Sequence, residues 1–142
     1  MLPKSDKVEL GQLFASADGG ADWTVVAANP GVAYAVDASD ANILYGYGQD
    51  GLALSTDGGV TLTQTSLTVP LNCVATRVGS PGVIAACGTG TVWLSRDGGA
   101  TWTAEGAGLP PQLAVETAVF DPVLPSTLYA STAVNGVFAL TF

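Results

Sequence analysis

Ser95-Arg96-Asp97-Gly98-Gly99-Ala100-Thr101-Trp102 is the fullest of three copies of one phrase. The others are Ser55-Thr56-Asp57-Gly58-Gly59-Val60-Thr61-Leu62 and Ser16-Ala17-Asp18-Gly19-Gly20-Ala21-Asp22-Trp23. The central aspartates Asp18, Asp57 and Asp97 stand 39 and then 40 residues apart, so one structural unit of that length is repeated. The paired glycines make positive φ accessible and mark a turn. The carboxylate before them can accept hydrogen bonds from nearby amides and close the turn on itself, with local help from the serine hydroxyl. The Trp or Leu at the end of the phrase opens the next strand and can pack across the turn.

Around each turn the chain reads as short runs rich in Val, Thr, Tyr and Leu, bounded by Gly, Asp and Asn, which are strand and hairpin signals. The second repeat is expected to hold strands at 32–37, 43–47, 52–55 and 61–66. The third repeats the order at 72–77, 83–87, 91–95 and 101–105. A fourth supplies 116–121, 127–131 and 136–142, placing Phe142 where the turn aspartate stands elsewhere. The first enters near Val8 and has clear strands at 13–16 and 23–27. No window shows a convincing helical period. Phe14, Ala53, Trp93 and Phe138 fall at one equivalent position, and Leu13, Leu52, Val92 and Val137 at the position before it. Successive strand residues face opposite ways, so the aromatic series is expected to pack between adjacent sheets.

Four-stranded repeats of about 40 residues predict an all-β fold, a β-propeller with one blade per repeat. Strand tallies of three, four, four and three give about three and a half four-stranded blades in one incomplete domain, residues 1–142, a half-propeller. Propellers close with about 4–8 blades. An open arc exposes a strand edge and an apolar face, which predicts a homo-oligomer, with a dimer favoured because two copies supply the strands of a seven-bladed ring. The terminal strands do not merge tidily in such a ring. The alternative is a portion of a longer propeller.

The net charge is −8, and Lys4, Lys7, Arg77 and Arg96 are the only cations. Nucleic acid and anionic membrane surfaces are therefore not expected partners. The chain has no histidine, which removes Ser-His-Asp catalysis and His-ligated zinc. No apolar run approaches the ~20 residues of a membrane-spanning helix, and residues 1–10 lack the apolar stretch of a signal peptide. The chain reads as soluble; a longer parent that lost a leader would be secreted or periplasmic.

The phrase resembles the Asp-box, or bacterial neuraminidase repeat, Ser-x-Asp-x-Gly-x-Thr-Trp. Residues 95–102 carry every element, while Leu62 replaces Trp at 55–62 and Asp22 replaces Thr at 16–23. The resemblance covers most of the chain. The segment from Phe120-Asp121-Pro122 to Thr127-Leu128-Tyr129 is similar to the link between first and second strands in sortilin-type and photosystem II assembly-factor-type propellers. In that sialidase-like family the turn lies on the rim between third and fourth strands, away from the catalytic face. The resemblance thus implies a structural role for Ser16, Asp18, Gly20 and Trp23, for Ser55, Asp57 and Gly59, and for Ser95, Asp97, Gly99, Thr101 and Trp102.

Sialidases of the family hold their substrate with three arginines, and this chain has two, with Arg96 inside a turn. Other glycosidases need paired carboxylates, about 5–5.5 Å apart for retention and wider for inversion. Asp37, Asp40 and Asp121 fall at turns between first and second strands, Asp50 in a hairpin and Glu105 on an outer strand, while Asp6, Glu9 and Asp22 lie near the N-terminus. Glu116 sits on a first strand, which lines a propeller's channel, but one carboxylate makes no acid–base pair. One aspartate per turn is too few for calcium, which takes about 6–8 oxygens. No catalytic residue, metal or cofactor is expected.

The expected function is a non-enzymatic scaffold or binding module that self-associates to complete a ring and grips a protein surface or peptide. The alternative is a carbohydrate-binding or degenerate glycosidase module. Candidate ligand contacts are Tyr34, Arg77 and Glu116. Cys73 and Cys87 lie nearly opposite each other across a hairpin. A disulfide there would imply an oxidising compartment, but two small buried thiols are the preferred reading.

Overall fold

The computed structural model describes residues 12–28, 33–106 and 108–142. These form thirteen strands in four antiparallel sheets, and among them there is no helix. The first sheet pairs β1 (Gln12–Ala15) with β2 (Thr24–Ala28). The second runs in sequence order through β3 (Ala33–Val36), β4 (Leu44–Gly48), β5 (Gly51–Ser55) and β6 (Thr63–Gln64). The third does the same with β7 (Cys73–Thr76), β8 (Ile84–Cys87), β9 (Val92–Ser95) and β10 (Thr103–Ala104). The fourth holds β11 (Val115–Phe120), β12 (Thr127–Thr132) and β13 (Gly136–Thr141). Each repeat is thus one meander, and the expected entry of the first repeat near Val8 lies outside the described residues.

The outermost strands are shorter than their sequence suggests. β6 and β10 each pair over two residues. Beyond them the chain keeps bonding irregularly, with the Thr65 amide donating to the Leu52 carbonyl and the Glu105 amide to the Val92 carbonyl. In the second sheet the chain then passes so close that a Cβ on Gly51 would lie 2.2 Å from the Leu67 oxygen.

In the third and fourth sheets register places large side chains opposite small ones: Trp93 faces Ala86 and Phe138 faces Ala130, while in the second Ala53 faces Gly46. The two equivalent series then point to opposite sides of each sheet. Leu52 joins Tyr45, Ile84 and Ala86 in a core between the second and third sheets, against which Trp93 packs from the other wall. Val92 joins Cys73, Val115, Phe120 and Leu128 in a core between the third and fourth. Fully burying such a side chain contributes roughly 1.5–3 kcal/mol. Strands β3, β7 and β11 lie side by side, β7 touching both others, so the first strand of the second, third and fourth sheets is innermost. Sheets stacked face to face about a shared inner edge are blades of a propeller.

At the two ends of the arc the same positions are bare. Leu52 and Val92 are 0% and 1% exposed, but their equivalent Val137 is 67% exposed. Phe14 is 47% exposed, and Trp23 is 62% exposed although its equivalent Trp102 packs against the second core.

Cys73 and Cys87 are not free thiols: they form a disulfide between directly paired residues of β7 and β8, with Cα atoms 5.0 Å apart. Both are almost wholly buried. The antiparallel register itself puts their Cβ atoms side by side on one face, where bridging needs no backbone movement.

Candidate functional site

The repeated turns consume their own polar groups. In the third repeat the Ser95 hydroxyl donates to Asp97 Oδ1 at 2.8 Å and accepts the Gly99 amide at 2.9 Å. Asp97 also accepts the Thr101 amide and, on Oδ2, the Thr101 hydroxyl. The second repeat duplicates this through Ser55, Asp57, Gly59 and Thr61. In the first, Asp22 replaces Thr and supplies only its amide to Asp18, while Ser16 still accepts the Gly20 amide. The indoles of Trp102 and Trp23 close over the turns by donating to the Gly99 and Gly20 carbonyls. Gly98 and Gly99 have φ of 72° and 92°, a left-handed pair that residues with a Cβ adopt at a cost.

This bonding holds the carboxylates ionised. The Thr61 and Thr101 hydroxyls, followed by their amides, lower the Asp57 and Asp97 pKa values to about 2. Asp18 is also lowered, chiefly by the Asp22 amide. The second and third turns are each tied to the loop between the first two strands of their own sheet: the Gly58 amide donates to the Asn42 carbonyl and the Gly98 amide to the Gly82 carbonyl. These two turns therefore share one face of the arc with the C-terminal ends of the inner strands.

The three candidate ligand contacts are not brought together. Tyr34 lies within β3 with its ring over Gly46 beside Leu62, on a sheet face rather than at a channel mouth. Arg77 follows the last residue of β7, on the face that carries the turns. Glu116 is exposed at the opposite end of an inner strand. There Val115 pairs with Thr132 and Thr117 with Ser131, so Glu116 is the extra residue of a β-bulge, a device that re-aims a side chain. No linear spacing discloses that bulge. Among the described residues, no group of three or more His, Cys, Asp or Glu side chains could hold a metal ion.

Asp37 and Asp121 lie, as expected, at the turns between first and second strands, and there they share a second bonding pattern. They occupy one position, each donating its amide across the hairpin to the residue before the second strand or at its start, Ile43 or Thr127. The Asp37 carboxylate accepts the amides of Ser39 and Asp40, and that of Asp121 the amides of Val123 and Leu124. A tyrosine comes with each. Burial and the neighbouring Asp37 charge push Tyr45 up to about 12, and a hydrogen bond to Asp121 raises Tyr129. The signal was available as Asp-x7-Tyr in two repeats, 37–45 and 121–129, but it has meaning only once the hairpin register is known.

Between β7 and β11, on the turn-bearing face, a cleft of about 300 Å³ is lined by Ala75, Arg77, Val78, Ala118, Asp121 and Pro122 among others. The other arginine, Arg96, is engaged elsewhere, 5.5 Å above the Phe142 ring, which meets Phe120 edge-on.

This architecture is that of a β-propeller, and the comparisons with solved structures bear it out. An ancestral GH74 enzyme superposes with a TM-score of 0.76 at 22% identity, over 93% of this chain and 20% of the enzyme. YCF48 bound to D1 peptide superposes with a TM-score of 0.58 at 17% identity, over 72% of this chain and 34% of YCF48. The chain thus spans about a fifth and about a third of their lengths. At these identities the likeness defines the fold alone. No protein-family model matches the chain, and no curated protein does.

Proposed function

We propose that the chain is a non-enzymatic propeller module whose repeated turns are Asp-boxes fastening the blades, and that a second copy completes its ring. The supporting observation is the exposure of Val137 where Leu52 and Val92 are buried, matched by exposed Phe14 and Trp23 at the other end. The outer wall of the fourth sheet offers what Leu52 and Val92 offer the next blade. The outer wall of the first sheet offers what Trp93 and Trp102 offer the blade before. A second copy supplies both complements at once. The occupied Asp-box carboxylates and the separated Tyr34, Arg77 and Glu116 support a role without catalysis. YCF48, solved with a peptide bound, favours a peptide or protein surface as the partner class.

Light scattering at micromolar concentration tests the ring, with twice the 14.2 kDa chain mass expected. A monomer overturns it. A fluorogenic glycosidase panel tests the absence of catalysis: turnover that disappears in Glu116→Gln would replace this reading with a glycosidase.

A further inference from the structure

Arg77 breaks the pattern of its own position. Its amide donates to the Val83 carbonyl just as the Asp37 and Asp121 amides donate to Ile43 and Thr127, so the three residues are structurally equivalent. Two repeats place a carboxylate there, bonded to two turn amides and joined by a tyrosine. The third repeat changes both partners. Arginine replaces the aspartate, and Ala85 takes the place of Tyr45 and Tyr129. The Ser80 amide falls back on the Arg77 carbonyl at a long 3.4 Å, and Gly79 has no side-chain acceptor. No carboxylate of the described residues pairs with the Arg77 guanidinium.

This cation stands on the wall of the cleft between β7 and β11, whose remaining lining is mostly apolar: Ala75, Val78, Ala118, Pro122 and Pro125. Asp121, which also lines the cleft, accepts the Val123 and Leu124 amides and remains ionised. Its charge and the overall −8 disfavour a dianion in this cleft. We infer that the cleft binds a small apolar monocarboxylate, whose carboxylate takes the place of the missing aspartate and meets Arg77 while its apolar body lies between Ala75 and Ala118. A guanidinium fork matches a single carboxylate in geometry as well as charge. The cleft lies within one chain, so the inference stands apart from ring completion.

Benzoate is a fitting probe, followed by amide NMR on the intact chain, with benzyl alcohol as its neutral counterpart and phenyl phosphate as the dianion. Benzoate is expected to give saturable shifts confined to Gly79, Ser80, Ala118 and the Arg77 side chain. Binding should weaken by about tenfold or more in Arg77→Gln and Arg77→Asp, the loss of one charge-assisted contact. Arg77→Asp restores the residue found in two other repeats, and its unchanged thermal unfolding guards against a folding artefact. The inference is overturned by shifts spread over the surface or absent. It is equally overturned by benzyl alcohol or phenyl phosphate binding as well as benzoate, or by benzoate binding undiminished in Arg77→Asp.

Discussion

Ser95 and Asp97 form a closed circuit in which each polar atom of the turn answers another. Ser95 is almost wholly buried, so its removal strands the Gly99 amide as well as one bond to Asp97. Ser95→Ala is expected to cost about 1–3 kcal/mol in denaturant unfolding, the cost of a buried group left unpaired. Ser16→Ala should cost less, because water reaches the same bonds in the first repeat. Acid acts on this circuit too. The folded pKa values of Asp57 and Asp97, about 2, lie below the ordinary aspartate value near 3.9. A depressed folded pKa means stability that is present above the unfolded value and lost as pH falls through the folded one. Circular dichroism should therefore show destabilisation between about pH 4 and pH 2, and a flatter profile in that window for Asp57→Asn with Asp97→Asn. These turns were legible in sequence because every partner lies within five residues. Arg77 was not legible as a substitute for aspartate, nor Glu116 as a bulge, because both facts depend on residues paired across a hairpin.

The hairpin of β7 and β8 is held by a covalent bond as well as by its ladder. The bridge joins residues 14 apart. Loop-closure entropy for a loop of that size gives about 3 kcal/mol, so thermal melts with and without reductant, or of Cys73→Ala with Cys87→Ala, should differ by about that stability. No difference would mean that the bridge is not formed in solution. The spacing in the sequence placed the two cysteines opposite each other but carried nothing about oxidation state, and small buried thiols satisfy the same burial. The strand order of each blade was readable from alternation and turn residues. The short pairing of β6 and β10 was not: past these strands the chain runs close against Gly51 at Leu67 and against Gly90 at Pro111, contacts that no local pattern encodes.

The whole arc follows from the period: one repeat makes one meander, and meanders stack because each can bury its faces only against another. That much the sequence carried. Which faces would be left bare became visible only in the exposure of Phe14, Trp23 and Val137. If a second copy covers them, the melting temperature should rise with protein concentration, and Val137→Glu should remove that dependence while the isolated chain stays folded. A concentration-independent melt of the unaltered chain would count against the dimer.

The two bare walls are unlike, aromatic at one end and β-branched at the other. If copies of the chain meet through these walls, the contact is head-to-tail, and nothing in such a joint limits the number of copies. Closure depends on the wedge angle between neighbouring sheets, since two arcs shut only if their turns sum to a full circle. A substitution that opens this angle by a few degrees would convert a shut pair into a growing filament. Ala86 beneath Trp93 and Ala130 beneath Phe138 are the places in the third and fourth sheets where a change of side-chain volume would shift that angle, and with it the choice between a particle of fixed size and a polymer.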